Sequence, residues 1–250
     1  MNDTLFQYLL RLGDDSLILG QRLTEYCGHA PSIEVDLSLA NLALDLVGQA
    51  TLFLNYAGEV EGKGRDGDKL AFHRDAEDFR NCLLVEQPNG DFAQTIARHF
   101  FFSNYAVLMF EGLMTSTDTR IAEIAAKTVK EMRYHAELSG DWVIRLGDGT
   151  EESHERMAEG LDWFWRFVDE MFDMDEMETV LARQGIAVDR STLRAEFDKR
   201  ITAVIEQATL EFQISEWSLR GGRAGKHSEH LSHMLAEMQV LPRAHPEAVW

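Results

Sequence analysis

The sequence predicts an all-α protein, and three observations carry that prediction. Its 250 residues contain four prolines, Pro31, Pro88, Pro242 and Pro246, so long windows are free of the residue that breaks a helix. Within those windows apolar residues recur three and four apart, the period of one helical face. No run of alternating apolar and polar residues competes, and no unit repeats at a fixed spacing.

The first pattern follows Asp3-Thr4, with Leu5, Leu9, Leu12, Leu19, Leu23 and Tyr26 on one side, and stops at Gly28-His29-Ala30-Pro31. A second runs from Ser32 or Asp36 to Val60 with Leu39, Leu42, Leu46 and Phe53 in a stripe, ending in a glycine-rich polar loop, Gly62 to Gly67. Leu70 to Gly90 reads as irregular chain that crosses the bundle. Asp91 is placed to cap a third helix reaching Met114, crowded with Phe100, Phe101, Phe102, Tyr105 and Phe110. Asp118 to Leu146 is the fourth, closed by Gly147-Asp148-Gly149-Thr150. The pattern then predicts a fifth helix from Ser153 to Phe172, a small one ending near Gly185, a sixth long helix from Asp189 to Ser218, and a last one from Ser228 to Leu241. The whole chain, 1–250, reads as one helical domain with its core bundle over 4–147 and additional helices over 153–241.

The formal net charge of −19 argues against nucleic acid and against a membrane surface as partners. No window reads as long and uncharged enough to span a bilayer. Arg11, Asp14 and Asp15 interrupt the apolar N-terminal run, which speaks against a signal peptide. Cys27 and Cys82 are the only cysteines, too few for a disulfide framework, and read as reduced thiols of a cytoplasmic protein.

The fourth helix carries the candidate chemistry. Glu-x-x-His on a helix sets both side chains on one face, and pairs of such helices build di-iron carboxylate cages. Here the residue three before His135 is Met132, a thioether that hard iron does not select, with Glu131 one position earlier. In the second helix Asp45-Leu46-Val47-Gly48 keeps the same step with the glutamate shortened and the histidine gone. The literal Glu151-Glu152-Ser153-His154 straddles a loop and a helix start, which removes the shared face. His227, His230 and His233 recur every three residues, a spacing that lets neighbours share a metal, although histidines near a chain end are usually solvated. The aromatic groups Phe100-Phe101-Phe102 and Trp163-Phe164-Trp165 cover more than one helical face, so those helices are expected to be buried on two sides. Asp78-Phe79-Arg80-Asn81, on the irregular crossing, offers a cation, an aromatic anchor and an amide to a ligand or partner. Thr179-Val180-Leu181 on the small helix is a second, lesser patch.

Several blocks then resemble a known family along nearly the whole chain. They are Leu12-Gly13-Asp14, Gly28-His29-Ala30-Pro31, Leu44 to Ala50, Leu84 to Gly90, Lys130-Glu131 with Arg133-Tyr134-His135, and His227 to Leu231 followed by Leu235 to Gln239. Together they resemble the PaaC-type, structural subunits of bacterial phenylacetyl-CoA epoxidases. The resemblance implies a ferritin-like bundle that pairs with a homologous catalytic, PaaA-type chain. It implies that the catalytic chain holds di-iron, that a small third chain bridges, and that a reductase with flavin and iron–sulfur groups passes electrons from NADPH. The reaction implied is 1,2-epoxidation of phenylacetyl-CoA in aerobic phenylacetate catabolism, with the PaaC-type chain structural and binding no cofactor of its own. Laid on this sequence, the catalytic chain's ligand pattern falls on Asp45 and Gly48, near Ser103, on Met132 and His135, and around Leu19. On that pattern these are vestigial positions. The alternatives are an independent metalloenzyme using His135 with Glu131 and Asp45, or a helical scaffold unrelated to oxygenation.

Overall fold

The computed structural model describes residues 2–211, 217–246 and 248, and among them the regular structure is helical throughout. The chain forms two compact units, one of residues 1–28, 34–88 and 220–250 and the other of residues 29–33 and 89–219.

The first unit starts with α1 (Asn2–Glu25) and α2 (Ile33–Glu61). They pack closely because α1 carries glycine where they touch: a Cβ at Gly13 would sit 2.7 Å from the Leu54 side chain. The segment expected to be irregular is partly ordered into helix. It holds α3 (Gly67–Phe72), a 3-10 turn at Ala76–Asp78 and the single turn α4 (Leu83–Glu86). Capping explains the first of these, since the Asp66 carboxylate accepts the backbone N–H of Lys69. The C-terminal part adds a 3-10 turn at Gly222–Ala224, then α10 (Glu229–Met238) and α11 (Val240–Ala244). The expected final helix is therefore two, with Gln239 at the joint; its amide donates to the Ala71 and Arg74 carbonyls, both at 3.0 Å.

In the second unit α5 (Phe92–Leu113) is central and is flanked by α6 (Thr119–Gly147), α7 (Glu151–Trp165) and α9 (Arg194–Gln207). From Ala93 to Phe110 all but Gln94 are buried, Arg98, His99 and Asn104 included, so the helix is enclosed on every side as its aromatic run predicts. Trp163 departs from the aromatic expectation, being 43% exposed, while Phe164 and Trp165 are buried. The helix expected over Ser153–Phe172 begins earlier and ends at Trp165, because Thr150 caps it and places Glu151 in its first turn. The chain continues through a 3-10 turn at Asp169–Met171 to α8 (Glu176–Arg183). Asp189 caps a 3-10 turn (Arg190–Leu193) rather than the long helix itself. That long helix, expected to reach Ser218, closes at Gln207; Thr209 follows at φ 57°, and residues 212–216 lie outside the described residues. A buried ion pair between Arg190 and Glu178 fastens the 3-10 turn to α8.

One expectation is corrected by α2. It is long and apolar enough by length and composition to cross a membrane, although almost half of the qualifying window is buried within the protein.

The start of α5 is held by a reciprocal cap: Asp91 accepts from the Gln94 backbone at 2.9 Å and the Gln94 side chain accepts from Asp91 N–H at 3.2 Å. Asp91→Ala should lower unfolding stability by about 1 kcal/mol, the usual cost of a lost N-cap. Urea unfolding should show a lower midpoint with an unchanged slope.

Candidate functional site

In the first unit three carboxylates are withdrawn from water. Asp14 and Asp15 are consecutive on α1, and Glu86 ends α4; they are 0%, 5% and 0% exposed. Each must be compensated, since an ionised carboxylate is costly to bury alone. Asp14 pairs with both terminal nitrogens of Arg74, and its Oδ2 also accepts the Arg80 backbone N–H at 2.8 Å. Asp15 pairs with Arg223 at 2.6 and 3.0 Å and accepts the Cys82 N–H at 2.8 Å. Glu86 accepts from the Asn81 amide at 2.9 Å and the Ser228 N–H at 2.6 Å, and faces His227 Nδ1 at 2.6 Å. The other ring nitrogen of His227 lies 3.1 Å from the Phe79 carbonyl, which can only accept. Both imidazole nitrogens thus point at acceptors, the arrangement an imidazolium satisfies. Burial opposes that charge, but the Glu86 hydrogen bond and charge outweigh it, helped by the Phe79 carbonyl and Asp14, so the His227 pKa lies above its ordinary value. Arg22 completes the tie from α1, donating to the Glu86 carbonyl at 3.0 Å and to the His230 carbonyl at 3.0 Å.

This network takes up the crossing segment. Phe79 is fully buried beneath the Arg74 guanidinium, 4.2 Å from the ring centre, and Asn81 is fully buried against Glu86. Arg80 is half-buried and donates to Gln7 and to the Glu77 and Phe79 carbonyls, while Asp78 is exposed. The loop after residue 220 presses on the same segment: Gly225 has φ 76°, and a Cβ there would run into the Glu77 carbonyl. In α8 Thr179 is half-buried, Val180 is exposed and Leu181 is buried. The histidine series does not make one site, because His227 belongs to Glu86 while His233 is exposed. His154 shares its helix with Glu151, but its Nδ1 contacts the Gly147 carbonyl at 2.7 Å. A separate open groove of about 570 Å³ runs along Phe72, Met238, Leu241 and Pro242, and the charged residues on its rim are all exposed.

The second unit holds the other candidate cluster. Ser103 on α5 and Met132 and His135 on α6 are each fully buried. His99, one turn before Ser103, sets its ring 5.1 Å from that of His135. The Ser103 and Ser139 hydroxyls lie 3.2 Å apart, and Ser139 donates to the His135 carbonyl at 2.7 Å. Both ring nitrogens of His99 are buried without a hydrogen-bond partner among the described residues. Burial, then the neighbouring His135 and Arg98, pushes its pKa well below the ordinary range, which keeps the ring neutral. Sequence reasoning passed over His99; its signal was an imidazole four residues before Ser103 inside an otherwise aromatic helix. The first-unit positions Asp45 and Gly48 lie on α2, both half-buried.

The donors of the second-unit cluster are two imidazoles, two hydroxyls and a thioether. Di-iron requires several hard oxygen donors, so the set does not fit it. Among the described residues no three His, Cys, Asp or Glu side chains gather where a metal could be held.

Two comparisons bear on what the chain is. The family described as phenylacetic acid catabolic protein, which groups PaaA and PaaC sequences, matches residues 1–250. A curated relative from Escherichia coli (strain K12), the C-type subunit of 1,2-phenylacetyl-CoA epoxidase, is 51% identical over 243 residues, covering 97% of this chain and 98% of its own length.

The His227–Glu86 contact generates a prediction. A histidine whose folded pKa is raised contributes stability that is complete below its unfolded value, near 6.5, and is lost as pH rises through the folded value. The stability gap between wild type and His227→Gln should therefore be widest between about pH 5 and 6.5 and narrow above that range. Denaturant melts across pH check this; a gap that widens with pH contradicts the imidazolium. Asp14→Ala, which strands Arg74 in the interior, should cost about 3–5 kcal/mol at neutral pH in the same melts.

Proposed function

Because the chain belongs to the phenylacetic acid catabolic protein family, we propose that it is the non-catalytic subunit of a multicomponent phenylacetyl-CoA 1,2-epoxidase. The observation that carries this reading is the 51% identity, over nearly the full length of both chains, to a protein named as the C-type subunit of that epoxidase. On this reading the chain adopts a ferritin-like bundle, works in the cytoplasm and pairs with a homologous subunit that holds the di-iron centre. A small bridging subunit and a reductase carrying flavin and iron–sulfur groups complete the system, with NADPH as the electron source.

The donor set supports the non-catalytic part. Gly48, Ser103 and Met132 stand where a di-iron protein needs ligands, and none is a carboxylate or imidazole. The acids buried in the first unit are engaged with arginines, histidine and backbone N–H groups, so their chemistry is spent on holding the chain together. A contribution to substrate is confined to surface residues. Of the two stretches singled out in the sequence, Asp78, Arg80, Thr179 and Val180 keep surface for an acyl-CoA or a partner chain, whereas Phe79, Asn81 and Leu181 do not.

Co-expression with the homologous catalytic subunit, followed by native mass measurement and an assay of phenylacetyl-CoA epoxidation, tests the proposal. The two chains should co-purify, and omission of this one should abolish or sharply lower turnover. Purified alone, the chain should carry iron far below one equivalent. Stoichiometric iron that survives chelation would instead favour an independent metalloenzyme using His135 with Glu131 and Asp45.

A further inference from the structure

In the first unit the loop from Gly221 to Ser228 lies on the crossing segment more closely than a lead into α10 requires. A Cβ at Gly222 would run into the Asn81 carbonyl, and one at Gly225 would run into that of Glu77. Gly221 and Gly225 hold φ 146° and 76°, conformations open to glycine and strained for other residues. Backbone therefore rests on backbone over residues 77–82, where Phe79 and Asn81 are fully buried.

Two ties of different kinds hold the loop in place. Arg223 donates to Asp15 at 2.6 and 3.0 Å and to the Arg80 carbonyl at 3.0 Å, and its guanidinium keeps its charge at every working pH. Further along, His227 spans Glu86 Oε2 at 2.6 Å and the Phe79 carbonyl at 3.1 Å. A neutral imidazole has one N–H and cannot donate to both. With the proton on Nδ1, the Nε2 lone pair faces the Phe79 carbonyl. With it on Nε2, the Nδ1 lone pair faces the Glu86 carboxylate. Either tautomer turns one attraction into a repulsion.

The surrounding charges decide which state prevails. Burial opposes the imidazolium, while Glu86 on α4 and Asp14 on α1 favour it. Asp75 and Glu77 beside the crossing segment and Glu229 on α10 add negative charge along an open cleft of about 400 Å³ that His227 also lines. That cleft gives the ring proton a route to solvent. Of the cations nearby, Arg74 is paired with Asp14 and Arg223 with Asp15, and Arg22 on α1 is paired with Glu25. Arg80 spends its guanidinium on Gln7 and two carbonyls, and Lys226 on the loop itself is exposed.

We propose that residues 221–228 form a proton-controlled strap: charged His227 latches it onto the crossing segment, and loss of the proton frees the 225–228 end while Arg223 keeps the other end anchored. The direction follows from the raised His227 pKa. The latch is complete below the unfolded value, near 6.5, and is lost as pH rises through the folded value. Release uncovers backbone at Glu77 and Phe79, next to the exposed Asp78 and half-buried Arg80, and so alters the surface this segment presents. The inference concerns the first unit alone and does not depend on the proposed function.

Hydrogen exchange by mass spectrometry tests it, on the full chain from about pH 5.5 to 8.5 and corrected for the intrinsic rate at each pH. Peptides covering residues 76–82 and 224–230 should lose protection by about threefold or more as pH rises, while a peptide from α2, residues 42–54, keeps its own. His227→Gln should show the loosened level at every pH. Protection that stays flat in the wild-type strap, or that falls together with α2, overturns the proposal whether or not the variant folds. A folded His227→Gln that retains the wild-type slope overturns it too, by assigning the titration to another group.

Discussion

Compensation of buried negative charge is the constraint on which the first unit depends. Asp14 and Asp15 sit side by side on α1 and therefore project in different directions, one toward Arg74 and one toward Arg223. Between those directions runs the segment from residue 74 to 82, whose backbone N–H groups at Arg80 and Cys82 end on the same two carboxylates. Glu86 repeats the device four residues later and draws in His227, Ser228 and Asn81. A chain with little regular secondary structure thereby acquires fixed positions through ionic and backbone contacts. The segment that leads into α10 reaches the same carboxylates through Arg223, His227 and Ser228.

The second unit also pairs buried charge, as between Arg190 and Glu178, but the cluster on α5 and α6 is built differently. Its polar groups are hydroxyls at Ser103 and Ser139, the imidazole of His99 and the thioether of Met132. Neutral groups tolerate burial more cheaply than charges do, and they supply no hard anionic oxygen for iron. Within the proposed function, this is how a fold that elsewhere supports oxygen chemistry can serve as a partner. On that reading Asp45 is the one carboxylate left at the would-be ligand positions, while carboxylates in the first unit tie loops down.

α2 belongs to both stories. Its buried face packs on α1 through the Gly13 contact, while Ile33, Leu37 and Leu44 are exposed.

Much of this was legible in the sequence. The all-α class, the extent of α1, α2 and α5, and the Asp91 cap follow from local rules, because helix period and N-cap bonding involve residues within four positions of each other. Family membership was legible in the blocks from Leu12 to Gln239. The order within Leu70–Gly90, the early close of α9 and the split of the last helix were not. Short helices such as α4 draw their stability from distant contacts, here Arg22 and the segment at 227–230, and such contacts leave no periodic trace. The fate of Phe79 shows the same division. Sequence presented an aromatic, a cation and an amide on a crossing loop, a set that suits a ligand as well as a core. Only the tertiary structure decided that Asp14, far away along the chain, would bring Arg74 over that ring and bury it, because pairing a charge removed from water outweighs leaving the loop exposed.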